Sequence, residues 1–202
     1  MTTRDRPLAG QDGQRPLLEL TALSAATSQP DAGMWLTWLA DEDTRRRYEA
    51  LVYRRDPGQC AFWLGAISST GHGKFRAGSR ARARPETGPS RIVTAHVYAY
   101  QLRHGALPAA EARQVVIRHT CDETSCQAWE HLIIGTQPDN VWDYVARRGR
   151  AGGPLADVRG ARGRAVAVRT AILAARRAGG DIEEALQQAI DAGARPHQER
   201  LF

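Results

Sequence analysis

The sequence predicts an α+β fold, on three observations. Apolar residues recur at helical spacing in several separate stretches, and short apolar or β-branched runs bounded by Gly, Ser and Pro read as strands between them. The 202 residues, 42% apolar and 25% charged, suffice for one compact domain with arms. No apolar run has membrane-spanning length and no apolar block follows a basic start, so neither a transmembrane nor a signal-bearing secreted protein is expected. The expected compartment is the cytoplasm.

Residues 1–30 carry Pro, Gly, Gln and Thr around a brief Leu17-Leu18 spot, the composition of a flexible lead-in. Residues 31–58 hold an N-terminal helix, single or broken once. Trp35, Trp38, Leu39, Tyr48, Leu51 and Val52 recur near helical spacing between Met34 and Arg55, until Asp56-Pro57-Gly58 stops the pattern. Cys60 to Ile67 is aromatic and apolar, Ser68 to Gly73 supplies turn residues, and Lys74-Phe75-Arg76 follows, which together read as a β-hairpin. Ala77 to Ser90 reads as a loop, Arg91-Ile92-Val93 as a strand, and Ala95 to His104 as a helix ended by Gly105 and Pro108. Gln114 to Arg118 is the most strand-like run in the chain. Thr136 and Asp139 form a reciprocal cap with Pro138 in the first turn, opening a helix from about Gln137 to Arg148. Gly149 to Gly163 reads as a Gly- and Arg-rich linker. Arg164 to Ala178 and Asp181 to Ala192 read as two closing helices joined at Gly179-Gly180.

Twenty-eight basic against twenty-two acidic residues give +6, and Lys74 is the single lysine among them. Planar guanidinium groups fork onto two phosphate oxygens at once, so an arginine-dominated surface suits nucleic acid, although genomic base composition also drives arginine usage. Basic residues gather in two stretches. The first, from Lys74 to Arg91, holds Arg76, Arg80, Arg82 and Arg84; the second, from Arg147 to Arg177, has nine arginines, Arg148 and Arg150 included, against the one acid Asp157. The closing helices are read either as an accessory DNA-binding or dimerisation piece, leaving a homodimer open, or as a solvated pair packed on the body.

Cys121-x4-Cys126-x4-His131 brings three soft or borderline metal ligands into eleven residues, and Cys60 upstream completes a Cys3His set of the kind that closes a structural zinc site. The plainer reading makes the cysteines small buried residues and His131 a surface histidine. The gaps are filled by Asp122, Glu123, Thr124, Ser125 and Gln127, so the segment lacks apolar periodicity and needs a cross-link to be ordered. His119 ends the strand before this loop, and Asn140 lies in the first turns of the helix after it. Strand, pinned loop and helix would bring both to one side of a ββα unit. Trp35, Trp38 and Trp63 read as core, and His72, His104 and His197 as solvated. His96 reads as a capping or packing residue, or as a phosphate contact.

Cys60-Ala61-Phe62-Trp63-Leu64-Gly65-Ala66, Ala95-His96-Val97-Tyr98-Ala99-Tyr100 and the run from Arg118-His119-Thr120-Cys121 through Cys126, His131-Leu132 and Gly135-Thr136 to Asn140 resemble the HNH endonucleases of phages and mobile introns. The branch is the zinc-stabilised one related to His-Cys box homing endonucleases. The resemblance covers roughly residues 60–150, within an expected nuclease domain of residues 59–150 that leaves 151–202 as a basic linker and helical tail, and implies a ββα-metal (His-Me finger) core with flanking helices. It further implies cleavage of double-stranded DNA to 5′-phosphate and 3′-hydroxyl ends, in a bacterial or phage-infected cell. His119 would be the general base, Asn140 the ligand of a catalytic Mg2+, and Arg76, with Arg80 second, the arginine steadying the transition state. Cys60, Cys121, Cys126 and His131 would hold structural zinc. A zinc-stabilised DNA-binding protein of the same fold, without cleavage, is the alternative, and an RNA-directed nuclease a third reading. The chain departs from the family in carrying Ala128-Trp129 where Asn-Pro is common and His72 where a tyrosine is common.

Overall fold

A computed structural model describes residues 30–78, 89–108, 111, 114–148, 150 and 152–194. The loop arginines Arg80, Arg82 and Arg84, the lead-in before Pro30, and His197 lie outside them. Short helices and small antiparallel sheets alternate, which bears out the α+β class.

The N-terminal helix is broken once, at Asp41. Helix α1 (Ala32–Ala40) starts where the Asp31 carboxylate accepts the Met34 amide at 2.7 Å, and α2 (Glu42–Glu49) where Asp41 does the same for Thr44 at 3.0 Å. Glu42 and Asp43 in the first turn of α2 and Arg46 and Arg47 in its last suit the helix dipole. Val52 is not helical as its spacing predicts. Strand β1 (Val52–Tyr53) pairs antiparallel with β2 (Phe62–Trp63), Val52 opposite Trp63, so a tertiary partner overrides the local pattern.

The expected hairpin is correspondingly shorter. Strand β3 (Ala66–Ile67) turns into β4 (Gly73–Ala77), and β5 (Arg91–Thr94) completes the three-stranded sheet. Along β4 the side chains alternate, with Phe75 and Ala77 buried and Lys74 and Arg76 exposed. Gly71 in the turn has φ +88°, and a Cβ there would stand 2.5 Å from Thr124 Oγ1 and 2.8 Å from the Ala161 carbonyl carbon. Only glycine lets the hairpin tip seat against both neighbours.

Helix α3 (Ala95–His104) follows, and then β6 (Val116–His119), antiparallel to β7 (Leu132–Gly135) with His119 opposite Leu132. Helix α4 (Gln137–Arg147) opens on the reciprocal Thr136/Asp139 cap and packs on β6. Within the expected linker, Pro154–Ala156 forms a 3-10 turn, and α5 (Gly160–Ala178) begins four residues before Arg164; α6 (Ile182–Asp191) closes the described chain. The early start has a cause outside composition. Buried Asp157 gathers the guanidinium groups of Arg159, at 2.6 Å, and Arg164, at 3.5 Å, and so orders a segment that reads as loop.

Trp38, Tyr48, Trp63, Phe75 and Tyr98 form an aromatic core joining α1, α2, β2, β4 and α3, with Trp35 at its edge. A second cluster, Phe62, Leu64, Val168, Ile172 and Leu186, packs α5 and α6 onto the segment around β2. The tail is therefore part of the body. Two of its arginines turn inward, Arg164 Nε donating to Glu123 Oε2 at 2.6 Å and Arg169 Nε to the Leu64 carbonyl at 2.8 Å, while exposed Arg176 lies over the Tyr53 ring.

Glu123 and Arg164 are only 1% and 8% exposed, so breaking the pair strands a charge. Arg164→Met is expected to cost about 3–5 kcal/mol in urea unfolding, the range for removing one member of a buried ion pair. Adding Glu123→Gln to it should recover most of the loss. Equal midpoints for wild type and Arg164→Met would show that the pair does not anchor α5.

Candidate metal centre and histidine cluster

Backbone pairing assembles the first cluster. The Trp63 amide donates to the Ser125 carbonyl at 3.1 Å and the Gln127 amide to the Ala61 carbonyl at 2.7 Å, so the segment after Cys60 lies beside the loop between β6 and β7. The Tyr48 hydroxyl, donating to Gln127 Oε1 at 2.9 Å, ties the same loop to the aromatic core. Cys60, Cys121, Cys126 and His131 then present one ligand atom each within 4.8 Å of one another. His131 turns Nδ1 toward Cys126 Sγ at 3.5 Å and Cys60 Sγ at 3.7 Å, while its Nε2 lies 3.2 Å from the Gly58 carbonyl. A carbonyl on the far ring nitrogen is how a ligating imidazole is oriented.

The three sulfurs compete for one negative charge. Hydrogen bonds from Cys126 and Cys60 lower the Cys121 thiol to about 2, while the contact with Cys121 raises Cys126 and leaves Cys60 pushed up to about 12. Two of the three thus resist ionising together unless a cation neutralises the set. Three thiolates and an imidazole in this arrangement could hold a metal such as zinc. The Ala128 amide, 3.4 Å from Cys126 Sγ, further favours the thiolate there. Asp122, next to Cys121, takes the left-handed backbone with φ 61°, a conformation aspartate tolerates, and turns the chain into the loop.

His119 sits half-buried at the end of β6. Its Nε2 lies 3.0 Å from the Cys126 carbonyl, an acceptor, which assigns the proton of the neutral ring to Nε2 and leaves the Nδ1 lone pair free. Burial holds its imidazolium below the ordinary range, opposed by the Cys121 thiolate and the Cys126 carbonyl. His119 and exposed Asn140 line one cavity of about 370 Å3, which His72, Asp122, Asp143, Tyr144 and Arg147 also border. Arg147 braces its far wall: Nε stands 3.2 Å from Asp122 Oδ1, NH2 3.0 Å from Asp143 Oδ2, and NH1 donates to the Thr120 carbonyl at 3.0 Å. Arg118 pairs with Asp143 from the other side. These contacts hold α4, and with it Asn140, against the end of β6.

Other expectations fare differently. Arg76 does not border this cavity; it lies in a separate hollow with Arg47, Lys74 and Phe75, on the exposed face of β4, with its guanidinium 3.2 Å from Ser90 Oγ. The alternation of β4 decides this, because Phe75 takes the inward position. Arg147, expected at a phosphate, is engaged by two carboxylates, whereas Lys74, Arg148 and Arg150 are exposed. His72 is not a solvated side chain. Its ring packs on those of His96 and His119, with centroids 5.1 and 6.0 Å away, and burial lowers it to about 4, helped by His119. His96 is buried away from where a phosphate would meet it, 5% exposed, with Nε2 3.2 Å from the Ile117 carbonyl. Asp122, Asp143 and Arg147 carried no spacing signal in the sequence beyond their nearness to His119 and Asn140.

No family model, no curated protein and no solved structure matches the chain. Among the described residues, no helix is long and apolar enough to cross a membrane.

Cobalt(II) added to the metal-free protein should produce intense sulfur-to-metal absorption, and Cys121→Ser should lose most of it along with the cooperative thermal transition. A Cys121→Ser protein that melts like wild type would mean that the four side chains pack without a metal.

Proposed function

We propose that this chain is a metal-dependent DNA endonuclease of the ββα-metal kind, hydrolysing phosphodiester bonds to 5′-phosphate and 3′-hydroxyl ends. The observation that carries the reading is the shared cavity of His119 and Asn140, at the end of β6 and in the first turns of α4, beside the Cys3His cluster. It accords with the resemblance of the same residues to HNH endonucleases.

The chemistry follows from the groups present. The Cys126 carbonyl fixes the His119 ring, so Nδ1 accepts the proton of an attacking water as its oxygen bonds to phosphorus. The bond from phosphorus to the 3′ oxygen breaks, and that oxygen leaves with the electron pair and takes a proton from solvent. The exposed Asn140 amide oxygen is a hard donor suited to Mg2+, which when bound supplies charge stabilisation at the phosphate and the leaving oxygen. Arg118 and Arg147 spend their charge on Asp143 and Asp122, so the duplex is held from outside the cavity, by Lys74, Arg148 and Arg150 and on the β4 face by Arg76.

His119→Ala is expected to lower nicking of supercoiled plasmid by about 10²–10⁴-fold, the value of a positioned acid–base group, while gel-shift affinity for duplex DNA persists. Asn140→Ala should lose activity that high Mg2+ partly restores, since the phosphate oxygens remain to hold the ion. Equal cleavage by wild type and His119→Ala would remove His119 from the reaction. Binding with no cleavage by wild type in Mg2+ or Mn2+ would instead favour a DNA-binding protein of this architecture.

Binding should also weaken with salt. Replacing both Arg148 and Arg150 by Gln is expected to reduce the slope of log affinity against log salt by about two, close to one unit for each phosphate that is no longer neutralised. An unchanged slope would place the duplex elsewhere on the surface.

A further inference from the structure

Outside the Cys3His set, one more group of metal-ligand side chains meets among the described residues: His72 before β4, His96 in the first turn of α3 and His119 at the end of β6. One ring nitrogen of each lies within 4.8 Å of the others, and the His96 and His119 centroids are 4.5 Å apart. Each imidazole in a core needs both ring nitrogens satisfied.

The hydrogen bonds leave one nitrogen on each ring. His96 Nε2 faces the Ile117 carbonyl at 3.2 Å, His119 Nε2 faces the Cys126 carbonyl at 3.0 Å, and His72 Nδ1 stands 2.9 Å from Thr70 Oγ1. A carbonyl accepts only, so His96 and His119 carry their protons on Nε2 and turn bare Nδ1 lone pairs elsewhere. His96 Nδ1 is fully buried and has no hydrogen-bond partner among the described residues. An orphaned acceptor there is costly unless something electropositive fills the space between the rings. A proton serves poorly, because burial and the neighbouring imidazoles disfavour the charged form of His96.

We propose that His72 Nε2, His96 Nδ1 and His119 Nδ1 bind a divalent transition ion of the zinc class, as a site separate from the Cys3His cluster. Three neutral imidazoles suit a borderline ion such as Zn2+ or Co2+ rather than Mg2+, which prefers oxygen. Bonds of about 2.0–2.1 Å bring such nitrogens to about 3.4 Å apart, a short closing movement from their present spacing. The backbone carbonyls behind His96 and His119 and the hydroxyl behind His72 hold the three rings as ligating histidines are held, by the nitrogen that faces away from the ion. His72 and His119 also line the cavity that holds Asn140, so the positions a three-ligand ion leaves free border that cavity. This is the composition of an open site, one that keeps room for water or a substrate oxygen, where the Cys3His set is closed. Such an ion on the His119 Nδ1 lone pair and a proton taken there from water exclude one another, so the ion-loaded protein is a resting form in the nuclease reading, and ion binding is itself read without any cleavage.

The test uses the full-length protein without a polyhistidine tag. Zinc bound after gel filtration should reach two equivalents, and cobalt should give sulfur-to-metal bands for one equivalent and only weak visible d–d bands for the other. His72→Ala should bind one equivalent and keep the sulfur-to-metal bands, which report the intact fold. Thr70→Val should weaken the histidine-bound equivalent about 10–100-fold, as removing the hydrogen-bond partner of a ligand does. In wild type, nitrogen-15 resonances of these three imidazoles should move with the histidine-bound equivalent while those of His104 stay. A single equivalent in wild type, two equivalents retained in His72→Ala, or imidazole resonances of the trio that do not respond to zinc would each overturn the proposal.

Discussion

The unit from β6 to α4 turns on the cluster of Cys60, Cys121, Cys126 and His131, which could hold a metal. The loop from Thr120 to His131 lacks apolar periodicity, and Glu123, Ser125 and Gln127 within it are polar or charged yet buried. Such groups cannot fold a loop by burial alone; each needs a partner already in place. The three sulfurs and the imidazole, gathered within 4.8 Å of one another, would supply that fixed frame once a metal is bound. Around it Ser125 and Gln127 find backbone partners in residues 61–63, and Glu123 meets Arg164. The same cluster bears on His119, because the carbonyl that orients its ring belongs to Cys126.

The cavity inherits its character from this arrangement. Its histidine comes from a strand end, its amide from a helix start, and its brace from Arg147, which returns from the last turn of α4 to Asp122 beside Cys121. Helix and loop therefore cannot separate without breaking partly buried ion pairs. The arginine-rich tail serves the same end, since Arg164 is committed to Glu123 and Arg169 to the Leu64 carbonyl, so part of the basic charge is structural and only the outward arginines remain for a polyanion.

Much of this was legible in the sequence, for local reasons. The Thr136/Asp139 cap, Gly105 after α3 and Gly179, left-handed at φ 65° after α5, mark boundaries through backbone chemistry that acts within a few residues. The clustering of the three cysteines and His131 was readable because soft donor side chains at short spacing have few other uses. What was not legible rests on long-range pairing. Val52 becomes a strand only because Trp63 lies opposite, Arg76 faces out only because Phe75 fills the core, and Arg164 finds Glu123 across forty-one positions of chain. His72 stood out only as a departure from the resembling family's common tyrosine, since a histidine beside turn residues looks solvated until the sheet sets it against His96 and His119.

That the Cys3His cross-link organises the unit from β6 to α4 is tested most directly by amide hydrogen exchange on the metal-loaded and metal-stripped protein. Stripping the metal is expected to abolish protection in Val116–His119, Leu132–Gly135 and the Cys126 and Gln127 amides, while α1 and α3 in the aromatic core keep more of theirs. Unchanged protection in both strands after the metal is removed would contradict it.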